Sequence, residues 1–351
     1  MKKPAFIAAA ASAALIVGSV AALPARADSV ADFYSSRNVT ILVGYGAGGT
    51  YGQYAQIMAH YLPNFVPGHP NIIVQYMPGA GGLKASNYAY NVLPKDGSAL
   101  LEPPDSIIIT QLTDPKNAKY KSDGFTWIGN MIESNSVICV RADAGIKNLA
   151  DAEKKQVIVA STGTGSQTFL IPSVLNGIFE TKFKIIMGYK GSRESLHAME
   201  QKEVQGVSLT WLAFITGMPE WYKGGHEDWK GPPIIQVGFA KEKDLPFVDL
   251  ARDLAKTKED RQILDFVATL GPIGRGLAAP PGTPKDRIAA LRKAFDAMIE
   301  DPTVKADADR RKLRIIPKSG EEVQKIIGDV LTMSPDVVKR ATRLIMGNTA
   351  S

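Results

Sequence analysis

From Val39 onward, short β-branched runs alternate with longer amphipathic ones, and at three of the hand-overs the connecting turn is built largely of glycine and small hydroxyl residues. Alternation of strand-length and helix-length apolar patterns is the mark of βαβ units and a parallel sheet. The first unit reads Val39-Thr40-Ile41-Leu42-Val43 as strand, 44–50 as turn, then a helix with Tyr54, Ile57, Met58 and Tyr61 on one face, ended by Pro63. The second reads 71–76 as strand, Pro78-Gly79-Ala80-Gly81-Gly82 as turn and 83–92 as helix, with a turn at 94–97 and a short strand at 99–101. Residues 127–140 are continuously β-rich and read as one strand leaving a first lobe for a second. There the pattern repeats as strand 156–160, turn 161–166, helix 167–179, strand 184–187, helix 194–202 and strand 206–210. Residues 220–233 read as an exposed loop and 234–240 as a further strand, and the return is expected near 271–284, where Gly and Pro crowd together. Two surface helices follow over 285–300 and 320–343. Thr283 with Pro284 at the first helical position should cap one, and the capping box Ser319-Gly320-Glu321-Glu322 the other.

The first 27 residues read as a secretory signal: Lys2 and Lys3, an apolar run over 6–22, and Ala25-Arg26-Ala27 as the peptidase site before Asp28. No cysteine at the cut offers a lipid anchor, and no Arg-Arg pair precedes the apolar run. Removing residues 1–27 takes away Lys2, Lys3 and Arg26 and no acid, so the formal charge of +6 falls to +3. That balance excludes a nucleic-acid partner, which needs a larger clustered basic excess. The remaining 324 of 351 residues exceed what one core serves, so two lobes are expected. Residues 28–134 with 268–351 would form lobe one, discontinuous in sequence, and 135–267 lobe two. Cys139, the only cysteine, reads as a small buried hydrophobe.

Gly44-Tyr45-Gly46-Ala47-Gly48-Gly49 satisfies G-x-G-x-x-G in a strand-to-helix context. A dinucleotide would also need an acid at the tip of the second strand, where Gln75-Tyr76 stands instead, and no cofactor is expected. The recurrence of such turns at 44–50, 78–82 and 161–166 is more informative. Where a parallel strand hands over to a helix, amides lack partners and the helix dipole is positive, so a carboxylate is held without a formal cation. Thr50, Ser161, Thr162, Thr164 and Ser166 add hydroxyl donors, and Tyr45, Tyr51, Tyr189 and Trp211 are aromatics close enough to pack on a ligand. Glycine turns and hydroxyl caps are common singly, but three in two lobes point to a shared anion site. Around Ser166 the G-x-S-x-G elbow is missing, and His60, His69, His197 and His226 show no zinc spacing. No Walker-type loop occurs.

At these residues the sequence resembles the substrate-binding receptors of tripartite tricarboxylate transporters, the Bug or TctC-like family. The carriers of the likeness are Val43 to Gly49, Pro78-Gly79-Ala80-Gly81-Gly82, Lys95-Asp96-Gly97, Ser161-Thr162-Gly163-Thr164-Gly165-Ser166, Tyr189-Lys190-Gly191-Ser192 and Ala279-Pro280-Pro281-Gly282-Thr283-Pro284, in family order. The resemblance implies an α/β, type II periplasmic-binding fold, two lobes about a central ligand cleft, with no enzymatic activity and no metal. It implies a monomer in the periplasm that carries a small carboxylate to two integral membrane subunits. Its grip would come from Gly46, Ala47, Gly48 and Gly49 of lobe one and Ser161, Thr162, Gly163 and Ser166 of lobe two. Gly44 replaces the family's proline, Gly52 its aspartate, Gln56 an arginine and Phe169 a histidine. With Tyr51 and Phe169 near the site, these changes favour a less polar or aromatic carboxylate. The alternatives are a clamshell sensor feeding a signalling partner and a secreted α/β hydrolase using Ser166 or Ser161.

Overall fold

The computed structural model describes residues 29–347, so the signal segment lies outside the described residues. Ser29 caps α1 (Val30–Ser35) by accepting from the Asp32 amide, and β1 (Val39–Val43) leads through the first glycine turn to α2 (Thr50–Tyr61). Then come β2 (Ile72–Tyr76), α3 (Leu83–Asn91), β3 (Ala99–Glu102), α4 (Ile107–Thr113) and β4 (Thr126–Asn130). A second run holds β5 (Ser136–Val140), α5 (Leu149–Lys154), β6 (Val157–Ser161), α6 (Gln167–Phe179), β7 (Phe183–Met187), α7 (Ser192–Glu200), β8 (Gly206–Thr210), α8 (Trp211–Gly217), β9 (Pro233–Val237) and α9 (Lys258–Ala268). The chain closes with β10 (Gly276–Ala279), α10 (Lys285–Glu300), α11 (Pro302–Arg310), β11 (Lys318–Ser319), α12 (Gly320–Leu331) and α13 (Pro335–Met346).

Two sheets result, in the orders β11-β4-β10-β3-β1-β2 and β7-β6-β8-β5-β9. Each has the expected parallel heart, β3-β1-β2 in one and β7-β6-β8 in the other. The rest is a correction, since β10 runs antiparallel to β3 and β4, and β5 antiparallel to β8 and β9. A strand delivered straight from the other sheet needs no crossover helix and enters from the opposite end. For the same reason 127–140 is two strands, β4 in one sheet and β5 in the other. Between them, residues 131–135 run beside the return segment 271–275. Met131 N–H donates to the Arg275 carbonyl (3.1 Å), Ser134 N–H to that of Gly271 (3.3 Å), and the Asn130 side-chain amide to Pro272 O (3.1 Å).

The helices at 107–113, 149–154, 211–217, 258–268 and 302–310 were not legible in the pattern. The expected helix 320–343 is two, α12 and α13, parted at Ser334, whose hydroxyl caps Asp336. The capping box at Ser319 is present, but Thr283 caps nothing: its hydroxyl donates to Pro280 O, and Pro284 itself is the cap residue of α10. The inner strands β1, β3, β6 and β8 are buried on two faces, whereas the edge strands β2 and β7 leave Ile73, Ile186 and Met187 exposed. Val39, Ile41 and Val43 face a core with α2 and α10, while Leu42 joins a second core that continues into the other sheet through Ile138, Val157 and Phe169. A third core surrounds Cys139, Trp211 and Phe214. The last helix α13 packs on α6, α9 and α4 and so bridges the two halves.

Gly276 shows how tightly the return strand is inserted: a Cβ there would lie 2.1 Å from the Gly129 carbonyl oxygen and 2.8 Å from Asn130 Cα. Gly276→Ala is expected to cost about 1–3 kcal/mol, the usual range for overpacking, read as a lower urea midpoint.

Candidate functional site

The turn after β1 and the turn after β6 face each other across a closed cleft. Gly46 N–H donates to Lys190 O (2.9 Å), and Gly81 N–H to Thr162 O (3.1 Å). Gly165 O accepts from the hydroxyls of Ser106 (2.5 Å) and Thr110 (3.3 Å). Main chain meets main chain here because there are no side chains to intervene. A Cβ on Gly81 would stand 2.6 Å from Ser166 N, and one on Gly163 2.8 Å from Gly81 N. Gly81 and Gly163 also have φ of +67° and +132°, which glycine adopts without steric cost.

Inside this seam α2 and α6 point their N-termini at one cavity. Gly49 begins α2 and Ser166 begins α6, and neither supplies a side-chain cap. The Ser166 hydroxyl instead donates to Gly163 O (3.0 Å) and lies against Thr168 Oγ1. Apart from the Phe169 amide, which donates to Ser166 O (3.0 Å), the first-turn amides of both helices are thus left for another acceptor. The walls are Tyr45, Gly49, Thr50 and Tyr51 from the first turn and Thr162, Ser166, Gln167 and Thr168 from the second, completed by Ser192, Leu209 and Arg275. Its free volume is about 20 Å³, close to what one water needs. An outer groove of about 800 Å³ shares Gly49, Thr50 and Ser192 with it and runs past Tyr189, Arg193 and His197.

Of the residues singled out in the sequence, Tyr45, Gly49, Thr50, Tyr51, Thr162 and Ser166 reach this cavity. Gly46 spends its amide on Lys190, Ala47 is exposed, and Gly48 and Tyr189 line the outer groove. Ser161 is buried beneath its own turn, accepting from Gly163 N–H, and Thr164 is half-buried. Ala80 sits at the seam against Gly163 and Gly165, and none of Pro78, Gly79 and Ala80 is in the cavity wall. Phe169 lies in the shared core, and Trp211 packs among Phe214, Tyr222 and Trp229. Gly52, the position of the family's aspartate, has a physical reason: a Cβ would lie 2.0 Å from Ala47 O, so the turn itself fills that space.

Sequence reasoning missed Gln167, Thr168, Ser192, Leu209 and above all Arg275. The cavity wall therefore includes a formal cation that the turn-based expectation did not contain. Arg275 is 5% exposed and has φ +51°, a conformation uncommon outside glycine. Its Nη1 meets Asp105 Oδ2 at 3.3 Å, its Nη2 donates to Thr50 Oγ1 (3.1 Å) and Thr210 Oγ1 (3.3 Å), and its guanidinium lies 4.2 Å from the Tyr51 ring centre. Tyr51 is held in turn by the Asp105 amide, which donates to its hydroxyl (2.8 Å), and by the Tyr45 ring at 4.5 Å. The signal that could have found Arg275 was a lone cation between Gly274 and Gly276.

Behind it sits Glu102, fully buried at the end of β3, with neither carboxyl oxygen partnered among the described residues. Burial pushes this acid well above the usual carboxylate range, and Arg275 offsets that only in part. Asp105 is raised by burial too, against the pull of Arg275. For Glu102 the folded chain keeps a proton that the unfolded chain releases, so stability is full below the ordinary carboxylate range and declines as pH rises toward the folded value. The slope is about 1.4 kcal/mol per pH unit. Glu102→Gln is expected to flatten this decline, measured as urea midpoints from about pH 4 to 8; an unchanged slope would assign it elsewhere.

No family model matches the chain. It is 26% identical over 305 residues to the UPF0065 protein in gbd 5'region of Cupriavidus necator, covering 84% of this chain and 83% of that one. Among solved structures it is similar to the periplasmic binding protein BugD, with 18% identity, TM-score 0.69, and coverage of 87% and 97% of the two chains. It is also similar to MatC from Rhodopseudomonas palustris with bound malate, with 19% identity, TM-score 0.68, and coverage of 86% and 99%. The chain therefore has the two-lobed α/β fold of Bug-type periplasmic binding proteins, the kind its motifs resemble. No helix among the described residues is long and apolar enough to cross a membrane.

Proposed function

We propose that this protein is a periplasmic solute receptor that closes on a small organic carboxylate and delivers it, unchanged, to a tripartite tricarboxylate-type transporter. The observation that carries the reading is the meeting of two uncapped helix N-termini, at Gly49 and Ser166, on one hydroxyl-lined cavity. Tyr45, Gly49, Thr50, Tyr51, Thr162 and Ser166 form the grip, the neighbouring turn residues Gly46, Ala47, Gly163 and Ala80 form the closing seam, and the outer groove takes what the inner cavity cannot hold. Residues 28–134 with 268–351 move as one lobe and 135–267 as the other, about the paired segments 131–135 and 271–275. Residues 1–27 direct export, and the monomer meets two integral membrane subunits.

Capture rather than hydrolysis is supported by the partners of the Ser166 hydroxyl, a carbonyl and a threonine in place of an imidazole. A guest touching both turns binds the closed form better than the open one and so shifts the population toward closure. The cavity is nearly filled as it stands, so the lobes must part before a guest enters. The malate in the similarly folded MatC supports a small hydroxy- or dicarboxylate as the first candidate.

The test is a thermal-shift screen of malate, other di- and tricarboxylates, and benzoate. An acid at about 100 times its dissociation constant should add about 2.7 kcal/mol of stability. Ser166→Leu should abolish that gain while the circular-dichroism spectrum is kept. A variant responding as fully as the parent removes the second turn from the site.

A further inference from the structure

Beyond helix N-termini and hydroxyls, the wall of the inner cavity contains, among the described residues, one group with a full positive charge, Arg275. We infer that Arg275 is the specificity-determining residue of the site, the cation that reads the guest's carboxylate, a deepening that rests on the receptor reading above. Three observations lead there. The guanidinium is a cavity wall and not a core filler, standing among Thr50, Tyr51, Thr162, Ser166 and Gln167. It is also 5% exposed, so an acid that reaches it does so in a water-poor setting, where a charge-assisted hydrogen bond is strong.

The third observation concerns its hydrogen bonds. Nη2 donates to Thr50, at the start of α2, and to Thr210, at the end of β8, and so ties a residue of one sheet's layer to a residue of the other's. Because the Thr50 hydroxyl oxygen accepts from the guanidinium, its proton is turned elsewhere, and Thr50 lines the cavity a guest would enter. Asp105 holds Nη1 at 3.3 Å, a long contact for a charged pair. It keeps the cation in place while the cleft is empty of acid, and an entering carboxylate competes for the same guanidinium. Tyr51 covers one face of that guanidinium, so a planar, two-oxygen group meets its N–H edge by displacing Asp105 or the threonines, the geometry in which arginine binds carboxylate. The guest is therefore an acid, not an amide, alcohol or neutral sugar.

The experiment compares malate with malamide, and benzoate with benzamide, by titration calorimetry on the full mature chain. The parent should prefer the better-bound acid over its amide by at least about 30-fold, which is about 2 kcal/mol at 1.4 kcal/mol per tenfold. Arg275→Met should bring acid and amide to within about threefold, and Arg275→Lys should restore part of the preference. A merely structural arginine would weaken both ligands together and leave their ratio unchanged, and that result overturns the inference. Should Asp105, left unpaired, unfold the single variant, Arg275→Met with Asp105→Asn removes both charges and is read in the same way. Crystals of the parent with malate give an independent answer: a carboxylate oxygen within about 3.2 Å of the guanidinium supports the assignment, and a carboxylate held only by the turns rejects it. A parent that binds no acid at all removes the receptor reading as well; acid binding that needs Ser166 but not Arg275 removes the inference alone.

Discussion

Enclosing a guanidinium in protein obliges the fold to surround it, because an uncompensated buried charge costs several kcal/mol. Around Arg275 the obligation is met by four groups from three elements. The β3–α4 connection supplies Asp105, the first turn of α2 supplies Thr50 and the Tyr51 ring, and the end of β8 supplies Thr210. These are also the places where the two sheets approach each other, so the cleft's geometry and the arginine's solvation are one problem with one solution. Glu102 marks its limit: the cation already has a counter-ion, and the second acid, pushed up by burial, has no hydrogen-bond partner among the described residues.

Much of this was visible in the residues, and the parts that were not have identifiable causes. Strands such as Val39–Val43 and Gly206–Thr210, and helices such as Gln167–Phe179 and Lys285–Glu300, carry long runs of one period and were bounded correctly. The six- and seven-residue helices carry under two turns of pattern and vanished between their neighbours. Strand direction was misjudged because alternation with helices argues for parallel pairing only where a helix makes the crossing. In the site, the turns were found through their glycines. Arg275 was hidden by the same composition, since a segment read as a chain crossing was not searched for a side chain that faces inward. Phe169, three residues after Ser166, was placed near the guest by proximity in sequence; the helix turns it into the core instead.

The departures from the related receptors also acquire a reason. Glycine at position 52 lets the Ala47 carbonyl fold down over α2, and the turn becomes compact enough for Gly46 to reach Lys190 across the cleft. The polar lining of the inner cavity is then made of hydroxyls, the Gln167 amide and one guanidinium.

The paired segments 131–135 and 271–275 behave as a two-ply strap, each ply bonded to the other. Such a strap resists sliding and sets a fixed post between the two sheets. Arg275 is the last residue of the second ply, on the post itself. Its charge is therefore moored to the connection between the two sheets and to a hydroxyl from each side, Thr50 and Thr210.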